Sequence, residues 1–508
     1  MKFLDLERMH PVERRQFLKF VSAFIALPIV SPRTREAIAE VILGSPAHAQ
    51  AAPMNFLEVC FRDQWDFQCL FVPPGVAQSY ANAQNRLPPA GAPIQERLNF
   101  YVTPNAAELR PHLDDIAVME VGEVCVGNVH AHEAANPLRS PGRSYDRTAG
   151  KIDMSTVDKR PGGRSDGNEV YYSSTPTPAI LHNYYSKSQT PNLTNGVILR
   201  STLRGDIHTY YHFEGNLTNA QADRFFDKAT FLNRFANTNI PPATSSSQKH
   251  GALIAQFVKR LDDSYLQRVL AQAERTKQAA RADAMGGLLA GSTPAPISLA
   301  LSPTEEQMWK NGVTEQVICG GDDANQCVVQ GNKWHPSELF AYAGKLFQSG
   351  QVRTVAIDFD LSDVHTNRTK FMMDTQAQQS GKTLARLINF LKANNLWANT
   401  VIAMYTLDGS RSMETNSTGQ DSKNAVVLAG GKIRGGYYGD IRFTNNNFVY
   451  HRPDDNGNPV AGGTTGGGMR VPAADVYKTV MTAAGIPMSV LDGFADVKPG
   501  KILNYMLR

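Results

Sequence analysis

Long apolar runs are missing from this chain. No stretch approaches the roughly 18 consecutive apolar residues that a membrane-spanning helix requires, so no segment reads as a stable span. Cysteine is scarce, with 5 in 508 residues, and no C-x-x-C occurs. That removes a thiolate zinc cluster and a thioredoxin-like site. A G-x-S-x-G match occurs at Gly163–Gly167, but it falls in a Ser-, Thr-, Pro-, Gly- and Asn-rich stretch that reads as surface loop, so no nucleophile elbow on a strand-to-helix turn is indicated. There is no Walker loop and no dinucleotide fingerprint. Neither sign of charge dominates: the formal net charge is +4, with the basic residues scattered. No basic stripe interleaved with aromatics exists, which excludes nucleic-acid binding. No internal repeat is present.

The N-terminus carries a signal. Arg14 and Arg15 precede Phe17, Leu18 and Lys19, and a modest apolar stretch runs from Phe20 to Val30. Paired arginines ahead of a short apolar segment form the twin-arginine export pattern. "AHAQ" at 47–50 offers an A-x-A cleavage site after Ala49. The sequence therefore predicts a leader over 1–49 and one α/β domain over 50–508. It also predicts a periplasmic or otherwise exported location, the twin-arginine machinery as partner, and no membrane span after processing. Twin-arginine substrates fold before export, often around a cofactor. In an oxidising compartment a cysteine pair persists as a disulfide. Cys319 and Cys327, flanking "GGDDANQ", are the expected pair.

Along the domain, apolar runs predict strands at 55–62, 115–121, 196–203, 353–359 and 400–406. "TPNAAELRPHL" predicts a helix with Thr103 as cap and Pro104 at its first position. The stretch 136–195 is rich in Ser, Thr, Pro, Gly and Asn and reads as long surface loops. Helical spacing appears over 253–285, and Ser302 with Glu305 forms a capping box. "SELFAYAGKLFQSG" is a further helix ending at Gly350. The whole of 136–350 is assigned to loop and helical insertions.

The most readable part is 353–430. A strand leads into "DFDLSDVHTNR", then an amphipathic helix over 375–395 carries Leu384, Leu387, Ile388 and Leu391, then a second strand follows. This β-α-β unit predicts parallel strands, and hence a three-layer α/β/α fold with a mainly parallel central sheet. Ligands of open α/β sheets sit at the carboxyl ends of the strands. Asp363 and His365 follow one strand there, Asp408 and Asp421 the next. Asp63 and Asp66 follow the first strand, and His130 and His132 follow "AVMEVG". Mixed carboxylate and imidazole ligands suit zinc or manganese, and carboxylates alone suit magnesium or calcium. The site is therefore expected to hold a divalent metal ion.

"NAVVLAGGKIRGGYYGD" at 424–440 resembles the Ala-Gly-Gly-x-Ile-x-Gly-Gly stretch of a bacterial family called domain of unknown function 1501. That family is similar to alkaline phosphatases and sulfatases, and its members usually carry twin-arginine leaders. The resemblance runs from about Asn55 to the C-terminus and implies an alkaline-phosphatase-like fold. Its metal positions fall on Asp66 in "FRDQWD", on Asp363 and His365 in "FDLSDVHTNR", and on Asp421 in "STGQDSKN". "VPAADVYKTVMTAAGIP" resembles the family's closing helix. The chain also departs from the pattern. Asp63 and Gln64 replace paired glycines, the Gly-Gly-Trp before Asp363 is missing, and Ser422 stands where the family has His.

Ester hydrolysis in that superfamily needs a hydroxyl or formylglycine nucleophile beside the metal. No cysteine here stands in Cys-x-Pro-x-Arg, so a formylglycine sulfatase is not expected. Thr103 is the candidate catalytic hydroxyl, since it follows the first metal segment and opens a helix whose N–H groups attract anions. Two readings follow. One is a metal-dependent hydrolase of phosphate or related esters with a degenerate site. The other is a non-catalytic envelope binding or assembly protein that retains the fold.

Overall fold

The computed structural model describes residues 54–61, 65, 67–78, 94–96, 99–123, 145–146, 151–152, 158–159, 171–172, 177–188, 196–200, 222–236, 299–315, 317–319, 327–329, 334–350, 352–359, 370–406, 423–444, 447–461, 471–491 and 500–508. All lie in the compact unit Met54–Arg508, which separates from Met1–Pro53. The expected leader and the helix expected over 253–285 lie outside the described residues.

An eight-stranded sheet organises the unit. Its strands, in chain order, are β1 (Asn55–Phe61), β2 (Ile116–Glu123), β3 (Gly196–Arg200), β4 (Ala222–Phe225), β5 (Thr354–Phe359), β6 (Thr400–Thr406), β7 (Lys423–Gly430) and β8 (Gly436–Tyr438). Their spatial order is β4-β3-β5-β1-β6-β7-β2-β8. Every pairing is parallel except the two that β7 makes, so only β7 runs against the rest. The β-α-β reading holds for direction, since β5 and β6 are parallel. Between them, however, β1 is inserted and pairs with both.

Helices cover both faces, which makes the fold three-layer α/β/α. On one face Leu57, Val59 and Phe61 pack with α4 (Pro336–Ser349) and α6 (Thr383–Ala393). On the other, Phe56 and Cys60 pack with α1 (Thr177–Ser188) and α7 (Ala473–Ala483). Burial on two faces explains why β1 is apolar almost throughout rather than alternating; all seven of its residues are buried. Helix α1 lies inside the stretch read as surface loops. Its Ile180, Leu181 and Tyr185 are buried, too short an apolar pattern to stand out among Ser, Thr and Pro.

Helix ends follow local rules. After α2 (Lys228–Ala236), helix α3 (Pro303–Lys310) has the Ser302–Glu305 capping box in both directions. Helix α4 is boxed by His335 and Glu338 and stops at Gly350, whose φ of 71° is left-handed. The helix expected over 375–395 begins earlier, as α5 (Lys370–Ala377), and reaches α6 through a π turn, Gln378–Lys382. The segment after Thr103 is a 3-10 helix, Pro104–Asp115, with Pro111 inside it. Cys319 stands opposite Cys327 across a two-stranded antiparallel hairpin, the backbone placement the expected pair requires.

Candidate functional site at the strand-end rim

The sheet brings to one edge the strand ends that the expected site segments adjoin in sequence. Phe61, the last residue of β1, is in register with Phe359, the last of β5, and with Thr406, the last of β6. Neighbouring strands lie about 4.8 Å apart, so these three exits fall within roughly 10 Å of one another. Asp66 follows the first exit in sequence, Asp363 and His365 the second, and Asp408 and Asp421 the third. The reversed β7 starts at that same edge, with Lys423 opposite Glu123, the last residue of β2. Asp421 precedes Lys423 by two residues, and His130 and His132 follow Glu123. Asp63, Asp66, Asp363, His365, Asp408, Asp421, Ser422, His130 and His132 all lie outside the described residues. Among the described residues no three His, Cys, Asp or Glu side chains gather as a metal site. The donor types that follow these strand ends in sequence, carboxylates with an imidazole, fit a divalent ion.

Beneath the rim the described side chains are tightly engaged. Trp65, 1% exposed, stacks on Phe61 with ring centroids 4.4 Å apart. Its indole N–H donates to the Ser380 hydroxyl at 3.3 Å. Asn105 donates to the Asp374 carboxylate on α5. On the opposite face of β1, the Tyr405 hydroxyl donates to the buried Glu58 carboxylate. Trp65 and Ser380 were not singled out from sequence. The signal available was a Trp set between Asp63 and Asp66, and a Ser-Gly pair on the apolar face of an otherwise regular helix.

Thr103 is 1% exposed, and its hydroxyl donates to the Cys69 carbonyl at 2.6 Å. It occupies the cap position by backbone only, with no side-chain cap bond. The expected side-chain cap is therefore absent: the hydroxyl is turned to the Cys69 carbonyl, and no helix N–H donates to it. At the β4 end of the edge, Lys228 bonds Glu306 and Glu338, and Lys310 bonds Glu338 at 2.8 Å. Burial opposes charge on both Lys228 and Glu338. Their mutual bonds still hold the lysine above its ordinary range and the glutamate below its own. Two ammonium groups balance two carboxylates, so this cluster ties α3 to α4 and presents no excess charge.

Fold and strand register together define a three-layer α/β/α protein with a mainly parallel central sheet. No family model and no curated protein matches the chain. Solved structures do. A protein in the alkaline phosphatase superfamily from Vibrio parahaemolyticus is 11% identical, covering 83% of this chain and 70% of its own, with a TM-score of 0.30. A lipoteichoic acid synthase from Listeria monocytogenes is 11% identical, covering 96% and 82%, at 0.34. A sulfatase from Pseudoalteromonas sp. is 9% identical, covering 94% and 72%, at 0.31. No helix among the described residues is long and apolar enough to cross a membrane.

Proposed function

We propose that this chain is an exported, divergent relative of the domain of unknown function 1501 family. In this reading its rim holds a divalent ion through Asp66, Asp363, His365 and Asp421 and takes a small anionic ester. The observation that supports the reading is the shared register of Phe61, Phe359 and Thr406, which ends side by side the three strands that the proposed ligand segments follow in sequence. A divalent ion held there supplies Lewis acidity to a phosphoryl or sulfuryl oxygen. Asp66, Asp363, Asp421 and His365 would hold it. In the hydrolase reading the Thr103 oxygen would bond the phosphorus or sulfur as the bond to the ester's alcohol breaks, the hydroxyl proton that it now donates to the Cys69 carbonyl would leave on another acceptor, and water would then release Thr103.

Two observations support the second reading, a non-catalytic envelope binding or assembly protein. Ser422 stands where the resembled family has a His, which implies the loss of a ligand of a second metal position, and a hydroxyl is a poorer ligand than imidazole for a borderline metal. The Thr103 hydroxyl is buried and already bonded. The rim is therefore expected to bind at most one ion tightly and to turn over generic phosphate monoesters slowly or not at all.

Metal content after purification without chelator, with turnover of a chromogenic phosphate ester, decides between the readings. Wild type should carry up to one ion, Asp363→Ala should lose it, and Ser422→His should gain metal. Two ions and fast wild-type turnover would show that the ligands are mis-assigned. No ion in any variant would remove the metal rim altogether.

A further inference from the structure

The π turn between α5 and α6 is a built feature. Such turns are rare and concentrate at functional sites, because the extra residue re-aims one face of a helix. Here that face is gripped from two sides. Gln378 Oε1 accepts from the Thr314 hydroxyl at 2.6 Å, and Gln379 Nε2 donates to the carbonyls of Thr314 at 3.1 Å and Glu315 at 3.0 Å. On the other side lies the chain that has just left β1. The Ser380 hydroxyl gives its own proton to the Gln376 carbonyl at 2.6 Å, so it turns a lone pair toward the Trp65 indole N–H. At Gly381 an added Cβ would sit 2.5 Å from Leu70 Cδ2, so the helix surface meets the 65–70 segment in direct contact.

This contact joins two described stretches that adjoin the expected rim ligands in sequence. Trp65 immediately precedes Asp66 in sequence, and the helix bearing Ser380 is the one that follows Asp363 and His365. We propose that Trp65 and Ser380 are positioning residues. Their hydrogen bond on the π turn sets the Asp66-bearing segment against the helix that follows the Asp363–His365 segment. The proposal rests on the metal-rim reading for its purpose, but not for its geometry. A comparable bond serves as control. The Trp397 indole donates to Asp115 at 3.1 Å at the opposite edge of the sheet, where β2 and β6 begin.

The test uses the full chain and Mn²⁺ alone as the probe. Trp65→Phe keeps a ring on Phe61 and removes the N–H; Ser380→Ala removes the acceptor. Each should weaken Mn²⁺ binding by about 10- to 100-fold, the usual effect of losing a partner that orients metal ligands. The double variant should be no weaker than either single one. Trp397→Phe should lower thermal stability and leave Mn²⁺ affinity unchanged. If wild type binds Mn²⁺ and the Trp65 and Ser380 variants bind it equally well, the positioning role is overturned while the rim stands. If wild type binds none, the metal reading fails, and amide exchange decides the positioning role alone. Faster exchange confined to 62–70 and 360–369 in both variants supports it, and unchanged exchange there overturns it.

Discussion

His182 sits on α1 against the sheet, buried at 6% exposure. Burial pulls its pKa down from 6.5 to about 4. The folded chain thus refuses a proton that the unfolded chain accepts. His182 contributes stability above pH 6.5, and that contribution drains away as pH falls toward 4. Each such pH unit costs about 1.4 kcal/mol, so the full effect is roughly 3 kcal/mol. His182→Phe should therefore flatten the acid limb of the stability curve by up to that amount, read by urea unfolding at several pH values. An acid limb as steep as wild type would show that His182 is protonated in the fold. His112, His335 and His451 are also lowered by burial, so the variant should shallow the acid limb without abolishing it.

At the scale of elements, the glycine-rich stretch that carries the family resemblance lies at the edge away from the rim. β7 starts at the rim and ends at Gly430, opposite Val401 near the start of β6, and β8 begins at Gly436 beside Ala117. The turn between them is pressed onto other backbone. A Cβ on Gly431 would lie 2.5 Å from Ala398 Cα, and one on Gly435 would lie 2.0 Å from the Leu113 carbonyl oxygen. The Gly435 N–H also donates to the Asp114 carbonyl at 2.7 Å, so this approach is bonded as well as close. The motif is thus a packing device. Gly435→Ala is expected to destabilise by about 3 kcal/mol or more, since backbone on both sides must shift. A loss under about 1 kcal/mol in denaturant unfolding would mean the turn can yield. Metal content of the folded fraction should be unchanged.

For the whole molecule, the rim reading and the export reading are separable. The twin-arginine proposal depends on Arg14 and Arg15, outside the sheet-bearing unit. Replacing both with Lys should hold the precursor in the cytoplasm, seen by fractionation and immunoblot. An unchanged exported yield would remove the leader assignment and leave the rim untouched. The C-terminus meanwhile belongs to the fold. Arg508 bonds Asp115 at 2.7 Å, and its N–H donates to the Lys432 carbonyl at 3.0 Å. Burial would raise the Asp115 pKa, but its bonds to Lys392 and Arg508 bring it below the ordinary range.

Local chemistry in the sequence determined the apolar strands, the Ser302–Glu305 box and the Gly350 stop, because each depends on residues adjacent in the chain. Sequence also assigned Asp66, Asp363, His365 and Asp421 to strand exits, since a β-α-β unit fixes strand direction. Which exits stand side by side was decided only in three dimensions. β1 lies between β5 and β6, a partnership joining residues about three hundred positions apart that no local pattern encodes. The same holds for Thr103, whose hydroxyl met a carbonyl 34 residues away instead of its own helix. It holds for α1, whose few buried residues gain meaning only against the sheet. It holds too for the π turn, which reads as ordinary helix until Trp65 and Leu70 are packed onto Ser380 and Gly381.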